Sequence, residues 1–283
     1  MLFQQLLIVG LITGAVYSLV GVGFTLVLGV GKIANFAHGS FVAVGLYFAY
    51  FIKDHLGWNP YVALLPGLVF FAIVAIGVAE LFEWRGRKIG EIGELLIGLA
   101  LLLLIGGILE TVYGDKSKTI EGLEAGNVHV AGLVISGTQI IAAVFTLVLA
   151  VGIYFFVRRS RMGRALQAVA EDAEAAGLYG VRVPVAQRTA VVLSIVIAGV
   201  AGILISPFTV ITPSIGTSYL ISAFAVVIIG GIGNTLGAVG AGLGIGVVES
   251  LSSGYLASYW TTLAPLVVIL AILLIQPERE LAK

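Results

Sequence analysis

The sequence predicts an all-α polytopic membrane protein with about eight to nine transmembrane helices, some of them broken. Three observations predict it. Hydrophobic residues fill 59% of the 283 positions and charged residues only 11%, against roughly 25% charged in a soluble domain. The apolar residues come in long runs, several near the ~20 that a spanning helix needs. The few basic residues gather in particular loops. So little charge could not cover a water-facing surface of ordinary size.

The candidate crossings are residues 5–30, 37–53, 61–82, 95–112, 138–157, 189–208, 220–233, 235–251 and 260–276. The first has no basic region before it and is longer than a signal-peptide core, so it is expected to be a retained helix. The second and the 220–251 pair are the weakest signals. The seventh is short. Its border, Gly230-Gly231-Ile232-Gly233-Asn234, suits either a tight turn or a break within the membrane, a feature that in transporters surrounds the transport path.

Orientation follows from Lys and Arg. Lys32, Arg85, Arg87, Lys88, Arg158, Arg159, Arg161, Arg164, Arg182, Arg188, Arg279 and Lys283 fall on one side; Lys53, Lys116 and Lys118 fall on the other. The richer side is expected to be the cytoplasm. Nine crossings then place the N-terminus outside and the C-terminus inside. The whole of 1–283 reads as one transmembrane domain.

Two polar segments exceed a tight turn. Residues 113–137 are expected outside, where Val128, Val130, Leu133 and Ile135, with glycines nearby, suggest a short β-hairpin. Residues 158–188 are expected inside. Met162 to Ala170 reads as a short helix. Asp172 suits an N-cap, accepting from the free N–H groups of a second helix. Glu174 falls in that helix's favourable first turn, and Gly180 can end it with positive φ. Pro184 follows, as expected beyond a helix end. Such a pair is either a solvated connector or a docking element with a small, smooth surface.

Absences narrow the function. With no cysteine, disulfides and thiol chemistry are excluded. His38, His55 and His129 are scattered, so no metal site is expected. No G-x-x-x-x-G-K-[ST] occurs, so the chain has no phosphate-binding loop for ATP. Net charge is zero, which gives no nucleic-acid signature. No cofactor is expected.

Three groups of residues stand out within the spans. Asn35-Phe36-Ala37-His38-Gly39-Ser40 interrupts apolar sequence; such residues either glue helices together or line a path. Glu80, Glu83, Glu110 and Glu249 sit near predicted span ends, where carboxylates can reach the interface; Glu249 is the best candidate to face a polar vestibule instead. Gly233/Gly237, Gly240/Gly244 and Gly242/Gly246 each match the G-x-x-x-G spacing of close helix packing, within the chain or against a second subunit.

Three stretches carry a family resemblance: GAVYSLVGVGFTLVLGVGKIANFAHGSFVAVGLY, GRALQAVAEDAEAAGLYGV and AFAVVIIGGIGNTLGAVGAGLGIGVVE. Together, and in this order, they resemble the LivH-type permease subunits of branched-chain amino acid ABC importers. The resemblance implies that 158–188 holds a coupling helix resting on an ATPase, with Asp172, Glu174, Ala175, Ala176 and Gly180 in it and Arg164 and Glu171 just before. It implies two ATP-binding subunits, a second, LivM-type permease and an extracytoplasmic substrate-binding protein as partners, in the bilayer of the cell membrane. It implies import of small amino acids such as leucine, isoleucine and valine. Asn35, His38, Gly39, Ser40 and Glu249 become candidates for the translocation path. Urea or short amides are the alternative cargo, and a self-sufficient secondary transporter is the alternative class. The latter usually carries mid-span ionisable clusters, which this sequence largely lacks. An intramembrane enzyme would need a catalytic constellation within the spans, and none is visible.

The orientation is directly testable. Cysteines introduced at Ser117 and Ser160 should label from opposite sides of sealed cells, because no native cysteine competes. Labelling of both from outside would reverse the assignment.

Overall fold

The computed structural model describes residues 2–32, 35–83, 89–120, 126–130, 133–256 and 259–275. Among them are eleven α-helices and one two-stranded sheet. The helices are α1 (Leu2–Gly31), α2 (His38–Leu56), α3 (Leu64–Leu81), α4 (Glu91–Tyr113), α5 (Gly137–Arg159), α6 (Arg161–Glu171), α7 (Ala173–Leu178), α8 (Val183–Ile205), α9 (Ile215–Gly230), α10 (Thr235–Tyr255) and α11 (Trp260–Ile275). Strands β1 (Asn127–Val130) and β2 (Leu133–Ser136) pair antiparallel, Val128 opposite Ile135. Six helical segments are long and apolar enough to cross a membrane, and two shorter apolar helices, in α9 and α11, bring the candidates to eight. Arg85, Arg87, Lys88, Arg279 and Lys283 lie outside the described residues.

Each predicted crossing coincides with a helix, but α2, expected as the second crossing, is not among the eight span candidates; the others differ mainly at their ends. The third opens as a 3-10 turn, Pro60–Ala63, because Asn59 Oδ1 accepts from Tyr61 N at 2.9 Å and Pro60 fits a first turn. The sixth starts six residues earlier than predicted. Pro184, expected only to lie past a helix end, sits in the first turn of α8, where its missing N–H costs nothing. The seventh starts at Ile215 rather than 220. The Gly231–Asn234 run is a tight turn between separate helices: Gly231 and Gly233 take positive φ, and Asn234 Oδ1 accepts from Gly237 N at 3.0 Å.

The longest seam joins α1 to α10, antiparallel. It runs from Gly10 beside Val247 to Gly29 beside Gly233. A Cβ on Gly246 would stand 2.3 Å from Gly14 N, and one on Gly242 2.4 Å from Ser18 N, so the backbones touch. That contact brings polar groups together. Ser18 Oγ shares its hydrogen between Gly14 O and Val239 O, each 2.8 Å away. Ser250 Oγ donates to Leu6 O at 2.7 Å. Gly233 N donates to Thr25 Oγ1 at 2.9 Å. Gly242/Gly246 therefore pack within the chain, and Gly237 packs on Gly230 across the turn. Gly240 and Gly244 meet nothing within 4 Å; with Leu236 and Val248 they form the outward face of α10.

Two helices begin inside the bundle. The first turn of α2 lies level with Val20, well along α1, and with Ser194 of α8. The start of α9 packs on it: a Cβ on Gly39 would stand 2.0 Å from Gly216 O. The chain reaches α9 through residues 209–214, where Ile211 is fully buried and exchanges both backbone hydrogen bonds with Lys118 at 2.8 Å.

The seam makes a stability prediction. Gly246→Ala forces backbone apart and should cost about 1–3 kcal/mol. Gly244→Ala, on the open face, should be neutral or gain up to ~1 kcal/mol from helix propensity. Thermal unfolding of the isolated subunit in detergent checks it; equal Tm values for the two variants would contradict the backbone contact.

Candidate functional site

Three places concentrate the polar chemistry. The first is the helix pair α6–α7 at the arginine-rich end. Ser160 Oγ accepts from Gly163 N at 2.8 Å and starts α6. Asp172 Oδ1 accepts from Glu174 N and Ala175 N, both at 2.9 Å, and starts α7. Gly180, at φ +85°, ends it. There Gly180 N donates to Gly177 O and Val181 N to Ala176 O, both at 3.0 Å, the paired bonds of a Schellman stop. Leu166, Val169 and Ala176 pack with Val30 of α1 and Ala186 and Ala190 of α8 in a cluster apart from the main core. The pair is thus folded and anchored to two long helices.

The exposed surface differs from the one expected. Arg164, Glu171, Asp172, Glu174 and Gly180 are exposed, Ala175 is half-buried, and Ala176 is buried. Ala176 packs the pair together. Sequence reasoning missed Leu178 and Tyr179, which are 86% and 91% exposed. They are the most exposed large apolar side chains among the described residues. Beside them, Met162, Ala165, Gly180, Val181, Arg182 and Val185 line a groove of about 330 Å³. The clue in the sequence was Leu-Tyr placed against a helix-stopping glycine, in a loop otherwise polar or small.

The second place is the start of α2. His38 is fully buried, with Nε2 3.0 Å from Val20 O and Nδ1 2.8 Å from Ser194 Oγ. A carbonyl only accepts, so Nε2 carries the hydrogen and Nδ1 accepts from the serine. His38 therefore ties α1, α2 and α8 together. Asn35 is buried, its Oδ1 accepting from Ala37 N at 3.1 Å. Of the expected path residues here, Asn35, His38 and Gly39 are buried among the helices, and Asn35 Nδ2 has no hydrogen-bond partner among the described residues. Ser40 lines a cavity of about 540 Å³ with Gly106, Glu110, Asp115, Ser214 and Thr217.

The third place is Glu249. Glu80 pairs with Arg188 at 2.8 Å in an exposed bridge, and Glu110 is exposed. Glu249 departs from the expectation for span ends. It sits on α10 six residues before Tyr255, and Tyr17 Oη, midway along α1, donates to its Oε1 at 2.9 Å. Its Oε2 is buried with no hydrogen-bond partner among the described residues. A cavity of about 200 Å³ lies against it, between α1, α9, α10 and α11.

The capping geometry is open to measurement. Asp172→Ala removes both side-chain bonds and should cost α7 about 0.5–2 kcal/mol locally. Hydrogen exchange at the Glu174 and Ala175 amides should accelerate while α8 stays protected. Unchanged exchange would show that the cap contributes nothing.

Comparison with known proteins follows the same lines. A profile of the family described as "Branched-chain amino acid transport system / permease component" matches residues 6–275. The high-affinity branched-chain amino acid transport system permease protein LivH of Escherichia coli K12 is 28% identical over 302 residues, covering 99% of this chain and 96% of its own. The corresponding protein BraD of Pseudomonas aeruginosa is 29% identical, with 99% and 96% covered. A probable LivH of Methanocaldococcus jannaschii is 30% identical, with 92% and 86% covered. The solved structure of PsaBC from Streptococcus pneumoniae in complex with Fab shares the fold at 15% identity, with a TM-score of 0.51 over 98% of this chain and 92% of that one. The helical bundle, its apolar spans and the near full-length match agree: this chain belongs to the branched-chain amino acid transport permease family, as a multi-pass ABC permease subunit without an ATPase domain of its own.

Proposed function

We propose that this chain imports small amino acids, with leucine, isoleucine and valine as the first candidates, and that ATP hydrolysed on two partner subunits drives the cycle. One observation carries the reading. A helix pair capped at both starts, stopped by a Schellman turn and anchored to α1 and α8, presents Leu178 and Tyr179 to its surroundings at the arginine-rich end. Two large apolar side chains held in water are costly unless another protein covers them. A connector that only joined two spans would need neither the caps nor the apolar tip. In this reading the tip rests on an ATPase in the cytoplasm, and the positive-inside count supports that orientation.

The remaining partners follow from the family and from the need for two docking elements. One chain offers one helix pair, whereas two ATP sites call for two. A second, LivM-type permease supplies the other, and an extracytoplasmic binding protein delivers solute at the opposite face. Curated relatives named for high-affinity branched-chain amino acid transport support the substrate class.

Reconstitution tests the proposal. The chain, a second permease, two ATPases and a binding protein in proteoliposomes should take up leucine, isoleucine or valine with ATP, ahead of urea and short amides. Tyr179→Arg should insert normally yet lower uptake at least tenfold. Uptake at the native rate in that variant would reject the docking role. Full uptake without any second permease would reject the heterodimer, and preference for urea would reject the substrate class.

A further inference from the structure

We infer that the cavity at Glu249 is a binding subsite for the primary ammonium group of the transported solute. The inference rests on the amino-acid reading above for its natural ligand, but the site itself is built from side chains. The cavity of about 200 Å³ is lined by Tyr17, Ser218, Tyr219, Ser222, Glu249 and Thr262 among others. That volume exceeds several waters at ~30 Å³ each. No Lys, Arg or His is among its described lining residues.

Three features favour a cation with N–H donors. Tyr17 engages only Oε1 of Glu249, and Oε2 is buried without a partner among the described residues. An acceptor left so is costly until something donates to it. The rings of Tyr17 and Tyr219 stand edge to face, with centroids 5.9 Å apart, and tyrosine faces attract cations. The hydroxyls of Ser218, Ser222 and Thr262 add acceptors around the same space. A primary ammonium has three donors and no acceptor, which matches one carboxylate oxygen and two hydroxyls. A metal ion fits poorly, since no group of three His, Cys, Asp or Glu is found among the described residues.

The site also lies where a moving helix could use it. Its walls come from α1, α9, α10 and α11, and Ile215, in the first turn of α9, lines this cavity. Ser214 and Gly216 line the larger cavity by Ser40. The first turn of α9 thus divides two polar spaces, and its displacement would join them.

The test exploits the absence of native cysteine. Ser218, exposed on the cavity wall, is replaced in the full chain assembled with its partners: Ser218→Cys, with and without Glu249→Gln. Labelling is followed with a cationic and an anionic methanethiosulfonate of similar size. With Glu249 present, the cationic reagent should react at least tenfold faster than the anionic one. Glu249→Gln, nearly the same shape, should bring the ratio close to one. A ratio that Glu249→Gln leaves unchanged would overturn the inference, and so would no preference at the start. Methylammonium should slow labelling in the Glu249 protein and not in the Gln variant. Protection by methylammonium but not by leucine would keep the cation subsite and reject the amino-acid reading. Protection by neither would reject the subsite. If the Gln variant fails to assemble, methylammonium protection in the Glu249 protein decides alone.

Discussion

The polar contacts that set the register of α1, including the one at Glu249, depend on its backbone contact with α10. Glycines at 10, 14, 242 and 246 let two helices approach until main chains meet. In a membrane this approach replaces the hydrophobic effect as the source of specificity, because lipid tails are as apolar as leucine. It also fixes register. Once Gly246 seats on Gly14, Ser250 reaches Leu6, Ser18 reaches Val239, and Tyr17 meets Glu249. A slip of one turn would strand each of these groups in an apolar surround, at a cost for every unmade bond. The carboxylate can stand where it does because the seam delivers a tyrosine to it.

The inner starts of α2 and α9 depend on the same frame. A non-helical backbone within a membrane must be buried in protein or line a cavity. Residues 209–214 meet this by pairing with Lys118 and by burying Ile211, and the start of α2 meets it through Asn35, His38 and Ser194. At 16 residues, α9 is about 24 Å long, short of the ~30 Å hydrocarbon core. Before α9 runs the non-helical stretch 209–214, and the cavities by Ser40 and Glu249 lie on either side of the first turn of α9.

Much of this was legible in the sequence. Most of the apolar segments, though not the second or the 220–251 pair, and the caps at Asp172 and Gly180 come from strong local signals: hydropathy runs, one carboxylate before an alanine-rich turn, one glycine after it. The depth at which α2 begins was not legible, since a run of apolar residues gives length and not level; that depth is set by His38 reaching two other helices. The roles within Asn35–Ser40 were equally hidden, because packing glue and path lining use the same residue types. Glycine spacing marked close contact without saying with whom, and the structure divides those glycines between α1, α9 and an open face. Leu178 and Tyr179 were overlooked because apolar residues in an apolar chain attract no notice; only their exposure sets them apart. Ala176 lies in the expected helix, and its smallness lets it sit against α1 and α8, a placement the sequence does not reveal.

The way α6 and α7 are fastened has a mechanical side. A short helix with free ends would fray under load and dissipate it. Here both starts are pinned by side chains, the far end is locked by a Schellman turn, and the interior is wedged onto Val30 and Ala186. In the proposed docking, a push on Tyr179 would reach α1 and α8 through this packed unit. Because α1 packs along α10, the same push would bear on the turn of α1 where Tyr17 donates to Glu249.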